Sequence, residues 1–406
     1  MPGLSPSRLE AIFQDLGRIG ETATGMQRLA FTNLEQQAYD YVKSILDAEN
    51  ISHRTDAFGN LFARIEGTDP QAPAIATGSH LDTVPNGGKY DGTIGVLAGL
   101  QTLITLKDKG LRHPVELIAF RAEESSRFGH SCMASKLMTG FADLEKWKQS
   151  PDAEGKTVFD ALADNGFGPD RLDEARIDPS QYKAFLECHI EQGRVLEEEK
   201  ISIGVVTGIA APTRFRIQLN GVADHSGATP MGLRHDALVS AASIVTTLNA
   251  LASSEASHGT VGTVGQLDVT PNSMNVIPGL VTMSVDIRGV QEESIQRVVD
   301  GLLAHVESIQ GVDVKVTPLS AEKPVQLDRD IAGVLTDACI DENITHRSML
   351  SGAGHDAMYM AKIMPTAMIF VPSNNGISHN PEEFTPFQDI WNASQILTRA
   401  IERLAE

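Results

Sequence analysis

The stretch GSHLDTVPNGGKYDGTIG, residues 78–95, decides the fold of this chain. It follows a short apolar run, places His80 and Asp82 two residues apart, and leads through glycine-rich turns to Asp91. An apolar pattern with helical spacing begins directly afterwards, near Thr93. A loop that carries charged groups between a strand and a helix is where an α/β protein keeps its chemistry. The stretch therefore predicts an α/β domain and one part of a metal site.

Strands and helices alternate on both sides of this stretch. The sequence predicts a helix from about Thr93 to Lys107 and strands within residues 53–67, 72–80, 115–121 and 184–193. The order strand, helix, strand indicates a mixed, mostly parallel sheet with helices on both faces. The same texture returns after residue 325, with a strand near residues 366–373 and a final helix.

Residues 213–325 have a different texture. Strands and helices are predicted there in the order βαββαβ. This order is the ferredoxin-like split pattern, and it is long enough for a small α+β domain. We therefore predict a catalytic α/β domain made of residues 1–212 and 326–406, with residues 213–325 inserted into it as a second domain.

The composition is that of a globular chain with an acidic balance. The 406 residues carry a formal net charge of -20, and 41% of them are hydrophobic, with no apolar run expected to span a membrane. The acidic balance argues against nucleic acid or an anionic membrane as a partner, because both require a cationic surface. A small anionic substrate would need a local cation inside its site.

The cysteines and the N-terminal residues indicate in which cellular compartment the protein is expected to work. Cys132, Cys188 and Cys339 show no CxxC spacing, so neither a disulfide framework nor a zinc–thiolate site is expected. The N-terminal residues lack the basic start and apolar stretch of a signal peptide. We expect a protein of the reducing cytoplasm.

Four apolar strands each end in residues that can bind a metal ion. These residues are His80 for the first strand, Glu123 and Glu124 for the second, His189 and Glu191 for the third, and His379 after the fourth. One such residue alone is commonly a solvated polar group. Four strand ends, with Asp91 at a helix start, predict a crevice at the carboxyl edge of the sheet. Imidazole and carboxylate ligands without thiolate suit Zn, Mn, Co or Ni.

A series of motifs carries a resemblance to a known family. The motifs are HLDTVPNGGKYDG, AEESSRF, HIEQG, DHSGATPM, PNSMNVIPG, DIRG, SGAGHDA and NGISHNP. From about Gly59 to Pro381 they resemble the M20-type di-metal amidohydrolases, in the branch of N-carbamoyl-L-amino-acid hydrolase, allantoate amidohydrolase and β-ureidopropionase. The resemblance implies an enzyme that hydrolyses a C–N amide bond in a small N-carbamoyl or ureido compound bearing a carboxylate. It also implies that the inserted domain is a lid and dimerisation domain.

The resemblance implies two divalent metal ions per subunit, from among Zn, Mn, Co and Ni. Their ligands would be His80 and His189 on one ion and Glu124 and His379 on the other, with Asp91 bridging both. Asp82 would hold the His80 ring in its ligating orientation. Glu123 would be the general base, which takes a proton from the water nucleophile and returns it to the leaving nitrogen.

The resemblance also implies contacts with the substrate. His225 would reach the active site of the other subunit of a homodimer and stabilise the oxyanion, although the residue alone equally fits a turn or capping histidine. Arg288, with Asn275, would bind the substrate carboxylate and supply the local cation, whereas its position alone also fits a sheet edge. Gln192 is expected near the scissile group, and the backbone of Gly354 is expected against the ligand.

Some features leave the exact substrate open. Pro212 replaces a glutamine that contacts the substrate in relatives, and Ser125 replaces the commoner glycine after the two glutamates. His355 and Asp356 are either helix-start residues or ligand contacts. A carbamoyl amino acid, allantoate and ureidoglycolate are candidate substrates; a peptidase or aminoacylase of the same superfamily and a catalytically silent binding protein are the alternatives. No GxSxG motif occurs, which argues against a serine nucleophile.

Overall fold

The structure is a computed structural model that describes residues 4–406, and the chain divides into two compact units. Unit 1 contains the chain up to Thr207 together with Leu327–Met349 and Gly354–Glu406; unit 2 contains Gly208–Gln326 and Leu350–Ala353. The sequence prediction places the boundaries at residues 212/213 and 325/326 and assigns residues 350–353 to the catalytic domain. The structure differs on residues 350–353, which belong to unit 2. There the backbone N–H of Ala210 donates to the carbonyl of Ser351 at 2.8 Å.

Unit 1 contains most of the regular structure. Its helices are α1 (Pro6–Arg18), α2 (Asn33–Ala48), α3 (Thr93–Leu106), α4 (Met133–Thr139), α5 (Leu144–Lys148), α6 (Val158–Asp164), α7 (Val195–Glu199), α10 (Arg329–Asp341), α11 (Ala357–Met360) and α12 (Phe387–Ala405). Its strands are β1 (Glu21–Thr22), β2 (Gly25–Met26), β3 (Ser52–Thr55), β4 (Leu61–Ile65), β5 (Ala74–His80), β6 (Val115–Phe120), β7 (Tyr182–Ile190), β8 (Ile203–Ile209), β16 (His346–Ser351) and β17 (Thr366–Val371). The strands β8 and β16 each continue across the boundary into unit 2.

The main sheet of unit 1 has a parallel centre. Its neighbouring strands β17, β7, β5 and β6 run parallel to one another. Antiparallel strands flank this centre, with β8 beside β17, and β4 followed by β3 beside β6. The predicted mixed, mostly parallel sheet is confirmed. Because the four central strands run in one direction, their carboxyl ends lie along one edge of the sheet.

Helices cover both faces of this sheet. Leu186 and Cys188 of β7 belong to the apolar core that also contains the buried side of α3. Glu187, between them in sequence, points to the opposite face because side chains alternate along a strand. There its Oε2 accepts a hydrogen bond from the backbone N–H of Ala357, the first residue of α11, at 2.8 Å. The prediction of helices on both faces therefore holds.

Unit 2 is a four-stranded antiparallel sheet with two helices. Its main elements are β9 (Ala211–Asn220), β10 (Asp224–His225), α8 (Ala237–Ser254), β11 (Val261–Thr270), β12 (Val276–Ile277), β13 (Leu280–Gly289), α9 (Glu292–Ser308), β14 (Asp313–Ala321) and β15 (Val325–Gln326). The sheet order is β11, β13, β9, β14, and β10 pairs separately with β12. The long elements follow the predicted βαββαβ order.

The core of unit 2 lies between one face of its sheet and the two helices. Alternate residues of β9 and β13, such as Ile217 and Met283, are buried with Ile244 of α8 and Val298 of α9. The intervening residues of both strands form the other face, which is only half-buried. This leaves a polar sheet surface available for function.

One helix of the described residues corrects an expectation about apolar runs. By length and composition, α8 is long and apolar enough to cross a membrane. The sequence expectation of no such run is therefore wrong for α8. Its Ala237, Ala241, Ile244 and Leu248 nevertheless pack into the core of unit 2, which is how the apolar side of a helix stabilises an α+β domain.

Candidate metal centre

The carboxylate of Asp91 lies between two groups of potential metal ligands. Its Oδ1 is 3.3 Å from Nε2 of His80 and 3.1 Å from Nε2 of His189. Its Oδ2 is 3.4 Å from Nε2 of His379, which is in turn 3.1 Å from Oε1 of Glu124. The two groups that could hold a metal ion are thus His80, Asp91 and His189 on one side and Asp91, Glu124 and His379 on the other.

The spacing within each group fits a shared ion. Two atoms that each bind a zinc-sized ion at about 2.0–2.1 Å with tetrahedral geometry lie roughly 3.3 Å apart. The imidazole nitrogens and carboxylate oxygens of both groups are separated by 3.1–3.4 Å. The donor types, imidazole and carboxylate, also suit divalent ions of the first transition series.

The electrostatics of the cluster favour a cation. Hydrogen bonds to Asp91 and Glu124 raise the pKa of His379 to about 11. Burial would raise the pKa of Asp91, yet His189, His379 and His80 together hold it well below its usual range. An ionised, buried carboxylate that stabilises a proton on a neighbouring imidazole this strongly creates a negative potential, which also favours a metal ion.

The strand ends bring these ligands together as the sequence predicts. His80 is the last residue of β5, and His189 is the second-last residue of the adjacent β7. Glu124 follows the end of β6. His379 lies in the loop after β17. Because these four strands are neighbours and parallel, their ends and the loops that follow them supply all the candidate ligands. Asp91 lies in the loop between β5 and α3, next to Gly92, the N-cap residue of α3.

Gly92 allows Asp91 to come this close. Its φ is 63°, in the left-handed region, and a Cβ built on it would lie 2.5 Å from the ring atoms of His80. No other residue type fits this position without moving the His80 ring. Glycine at position 92 is therefore required by the close approach of a helix start to a strand end.

Asp82 supports both sides of the cluster. Nδ1 of His80 donates to the backbone carbonyl of Asp82 at 3.0 Å and lies 3.5 Å from its carboxylate. The two carboxylate oxygens accept the backbone N–H groups of Glu123 at 3.2 Å and Glu124 at 3.0 Å. Asp82 therefore orients the His80 ring mainly through its main chain, while its buried carboxylate holds the loop that carries the two glutamates.

Glu123 is buried next to the ligands and has an unusual pKa. Burial raises the pKa of Glu123 to about 7, the charge of His80 opposes the shift, and Glu124 adds to it. The thiol of Cys132 donates to its Oε1 at 2.9 Å, and Oε2 lies 3.9 Å from Nε2 of His80. A carboxyl group with a pKa near neutrality can both take up and release a proton.

The side-chain amide of Gln192 contacts the carboxylate of Asp91. Its Nε2 donates to Oδ2 of Asp91 at 2.8 Å and to the hydroxyl of Ser378 at 3.1 Å. Its Oε1 is buried without a hydrogen-bond partner among the described residues. An amide oxygen in that state costs free energy unless a further group binds there, which agrees with an incomplete site.

Glu383 belongs to this site although the sequence prediction does not include it. Its Oε1 accepts the backbone N–H groups of Tyr90 at 2.9 Å and Asp91 at 3.1 Å, and its Oε2 accepts the hydroxyl of Ser378 at 3.2 Å. Burial raises the pKa of Glu383 to about 7, and the charge of Asp91 adds to the shift. Its position just after NGISHNP was the available signal, but nothing in the sequence connects it to the backbone of Asp91.

A buried polar layer lies beneath His189. The ring of His355 packs edge-on against His189 with centroids 4.5 Å apart, and burial holds the pKa of His355 well below its usual range. Asp356 accepts a hydrogen bond from the hydroxyl of Ser135 at 2.5 Å. Both residues are buried, and of the two it is His355 whose ring packs against a candidate ligand.

His225 and Asn275 lie together in unit 2. The short strands β10 and β12 pair His225 with Val276, and the backbone N–H of Ser226 donates to the carbonyl of Asn275 at 3.0 Å. Nδ1 of His225 accepts the backbone N–H groups of Gly227 at 3.0 Å and Ala228 at 3.1 Å. Because Nδ1 is an acceptor, the neutral ring carries its proton on Nε2 and presents a donor to solvent. His225 thus caps its turn through Nδ1, and its Nε2 has no hydrogen-bond partner in the described part of the chain.

Arg288 lies in the four-stranded sheet of unit 2, whereas β10 and β12 form a separate two-stranded sheet. Arg288 is paired with Pro212 near the end of β13, whereas His225 and Asn275 adjoin the beginning of that strand. From Leu280 to Arg288 the strand spans roughly 27 Å at about 3.4 Å per residue. Within one chain, Arg288 and Asn275 are therefore too far apart to contact the same carboxylate.

The remaining predicted positions show little packing. A Cβ on Gly354 would meet no atom within 4 Å in the described part of the chain, so protein packing does not require glycine there. Gly352 accepts a hydrogen bond on its carbonyl from Nη1 of Arg288 at 3.0 Å. Ser125 is exposed in the loop after Glu124 and leaves the ligands untouched.

Comparison with known proteins shows similarity over both units. The sequence profile of peptidase family M20/M25/M40 matches residues 76–403. The N-carbamoyl-L-amino-acid amidohydrolase of Paenarthrobacter aurescens is 38% identical over 98% of this chain and 97% of its own length. The allantoate amidohydrolase of Escherichia coli is 36% identical over 95% and 94%. The crystal structure of an amidase of the hydantoinase/carbamoylase family from Burkholderia multivorans is similar with a TM-score of 0.90 and 34% identity, over 99% of this chain and 98% of that one.

Proposed function

The chain belongs to peptidase family M20/M25/M40, and from this premise we propose that it hydrolyses a C–N amide bond in a small N-carbamoyl or ureido compound that bears a carboxylate. Its relatives indicate a hydrolase that acts on C–N bonds. The observation that carries the proposal is the Asp91 carboxylate, which lies within 3.1–3.4 Å of histidines from both ligand groups. Hydrolysis of a carbamoyl group releases ammonia and carbon dioxide.

Two divalent ions, from among Zn, Mn, Co and Ni, are the proposed cofactors. His80, Asp91 and His189 would hold one ion, and Asp91, Glu124 and His379 the other. When bound, the ions would polarise the substrate carbonyl and lower the pKa of the attacking water. A carboxylate suits the shared position because its two oxygens can serve one ion each.

Glu123 is the proposed general base and acid. Cys132 occupies its Oε1, so Oε2 remains to accept a proton from the attacking water. The same carboxyl group then donates that proton to the departing nitrogen. Burial keeps the pKa of Glu123 near 7, and both transfers are therefore accessible near neutral pH.

The second unit is the proposed lid and dimerisation domain. Arg288 would pair with the substrate carboxylate through its planar fork, and the backbone of Gly354 and the amide of Gln192 would line the same substrate. Because Arg288 and Asn275 are separated within one chain, His225 of the partner subunit and the partner subunit's Asn275 would complete the site in a homodimer. Nε2–H of that histidine would stabilise the oxyanion.

The substrate is proposed as a class. Relatives named as carbamoyl-amino-acid and allantoate amidohydrolases favour an N-carbamoyl-L-amino acid first, with allantoate or ureidoglycolate as alternatives. A peptidase or aminoacylase activity of the same superfamily would use the same ligands but would release no ammonia. A catalytically silent binding protein would bind the same compounds but would release neither ammonia nor an amine. We propose the cytoplasm as the place of action.

The test is a screen for ammonia release. The purified protein, stripped of metal and reloaded with Mn or Zn, is incubated with carbamoyl amino acids, allantoate and ureidoglycolate, and with dipeptides and acyl amino acids as the contrasting set. We expect metal-dependent ammonia release from at least one member of the first group. Cleavage confined to the second group, without ammonia, would establish the peptidase or aminoacylase alternative; no turnover with either group would reject hydrolysis.

A further inference from the structure

The half-buried face of the unit 2 sheet carries a cluster of two arginines and one aspartate. Arg214 of β9 lies directly across the ladder from Asp286 of β13, and Arg288 follows Asp286 on the same face of its strand. The three side chains are 43%, 30% and 32% exposed, respectively. Unlike the residues that face α8 and α9, they are within reach of a ligand in solution.

The two carboxylate oxygens of Asp286 hold both guanidinium groups. Nε of Arg214 donates to Oδ2 at 3.2 Å. Nη2 of Arg288 donates to Oδ2 at 3.0 Å, and its Nε contacts both oxygens at 3.3 Å. Arg288 is further held by the carbonyl of Gly352. The two arginines are therefore fixed side by side, with little conformational entropy left to lose on binding a ligand.

The cluster has an excess of positive charge. Two guanidinium groups share a single carboxylate, and among the described residues only Nε of Arg214 is engaged, so that its Nη nitrogens have no protein partner. In a chain with a net charge of -20, these two arginines provide a local positive charge for an anion.

A cleft of about 370 Å³ lies over this cluster. Arg214, Asp286 and Arg288 are the charged residues that line it, and Thr263 and Ser284 add hydroxyl groups. A single substrate carboxylate needs only one guanidinium fork. The second guanidinium group, that of Arg214, is held by the same Asp286 carboxylate and is unexplained by a substrate with one carboxylate.

We propose that Arg214 and Arg288 form a two-carboxylate site, so that the preferred substrate is a dianion such as the N-carbamoyl derivative of an acidic amino acid. This inference rests on the proposed function, because it assigns the substrate class of that same site. Arg288 binds the α-carboxylate and Arg214 binds the carboxylate of the side chain, while Asp286 sets the distance between the two forks. Arg214 is a specificity residue and takes no part in bond cleavage.

The test compares N-carbamoyl-L-aspartate with N-carbamoyl-L-asparagine. These two compounds have nearly the same size and shape, but only the first has the second negative charge. We expect the wild-type protein to hydrolyse the aspartate compound with a kcat/KM about tenfold or more above that of the asparagine compound. Arg214→Gln is expected to lower this ratio about tenfold, and Arg214→Lys, which keeps the charge without the fork, to lower it less.

Arg216→Gln is the matched control. It removes an arginine from the same strand and face, but Arg216 does not line the cleft or contact Asp286. The control should keep the wild-type ratio. Equal kcat/KM values for the two compounds in the wild-type protein, or equal changes of the ratio in Arg214→Gln and Arg216→Gln, would overturn the inference while the proposed function stands. No ammonia from either compound or from any other carbamoyl or ureido compound would overturn both.

Discussion

The cluster of candidate metal ligands in unit 1 and the arginine cluster of unit 2 are built in opposite ways. In unit 1, side chains from four different strand ends converge on Asp91, and all candidate ligands except His379 are buried. In unit 2, neighbours on two paired strands meet through a single carboxylate, Asp286, and each stays partly exposed. The first arrangement depends on the topology of a whole sheet, and the second depends only on the register of β9 and β13.

This difference matches the two roles proposed for the clusters, bond cleavage for the first and selection of the substrate for the second. A buried cluster with fixed backbone contacts can hold metal ions and tune the pKa of a base, but it tolerates little change. A half-exposed cluster on a sheet face recognises charge, and its residues can be replaced with smaller consequences. Substitutions in the first region should therefore affect kcat by orders of magnitude, and substitutions in the second should affect mainly KM.

The largest effect is expected for Glu123→Gln. Glutamine keeps the shape and can still contact Cys132, but it cannot accept the proton from the attacking water. We expect kcat to fall roughly 100- to 10,000-fold, with metal content unchanged. Steady-state kinetics and metal analysis of the same preparation check both parts.

Glu191→Gln is the control for that prediction. Glu191 also follows a strand end, but its carboxylate accepts the backbone N–H groups of Val195 at 2.8 Å and Leu196 at 2.9 Å at the start of α7. The variant should retain kcat within a few-fold of the wild-type value. A comparable loss of kcat in both variants would show that the general-base role assigned to Glu123 is wrong.

A smaller effect, on KM rather than kcat, is expected for Arg288→Lys. Lysine keeps the positive charge but loses the planar fork that binds a carboxylate in two places. A charged hydrogen bond contributes about 1.5–3 kcal/mol, so KM should rise roughly tenfold or more. Kinetics with the best substrate of the ammonia screen measure it. A fall of kcat with unchanged KM would instead place Arg288 in the chemistry of unit 1.

Much of the first region was predictable from the sequence. His80, Glu124 and His189 follow apolar strands whose parallel order the strand–helix–strand pattern also predicts, so their convergence follows from topology alone. Gly92 signals the close approach of Asp91, because a turn between strand and helix favours a residue with positive φ. The resemblance of the motif series then implies different roles for residues that spacing alone could not distinguish.

The parts that the sequence did not predict depend on contacts between distant segments. Glu383 binds the backbone N–H groups of Tyr90 and Asp91, which are 293 and 292 residues away in sequence, and no periodicity encodes such a contact. The pairing of Arg214 with Asp286 depends on the register of β9 and β13, which the sequence pattern does not determine. Arg288 and Asn275, the residues implied for the substrate carboxylate, are separated by the length of β13 within one chain, and the motif series alone does not show this separation.

The most direct test of the account is the number of metal ions that Asp91 organises. Wild-type protein and Asp91→Asn are stripped with a chelator, reloaded with Zn or Mn, and analysed by mass spectrometry of metal content. We predict about two ions per subunit in the wild-type protein and fewer than one in Asp91→Asn, because both ligand groups lose their common carboxylate. One ion or none in the wild-type protein, or two retained in Asp91→Asn, would contradict the two-metal centre.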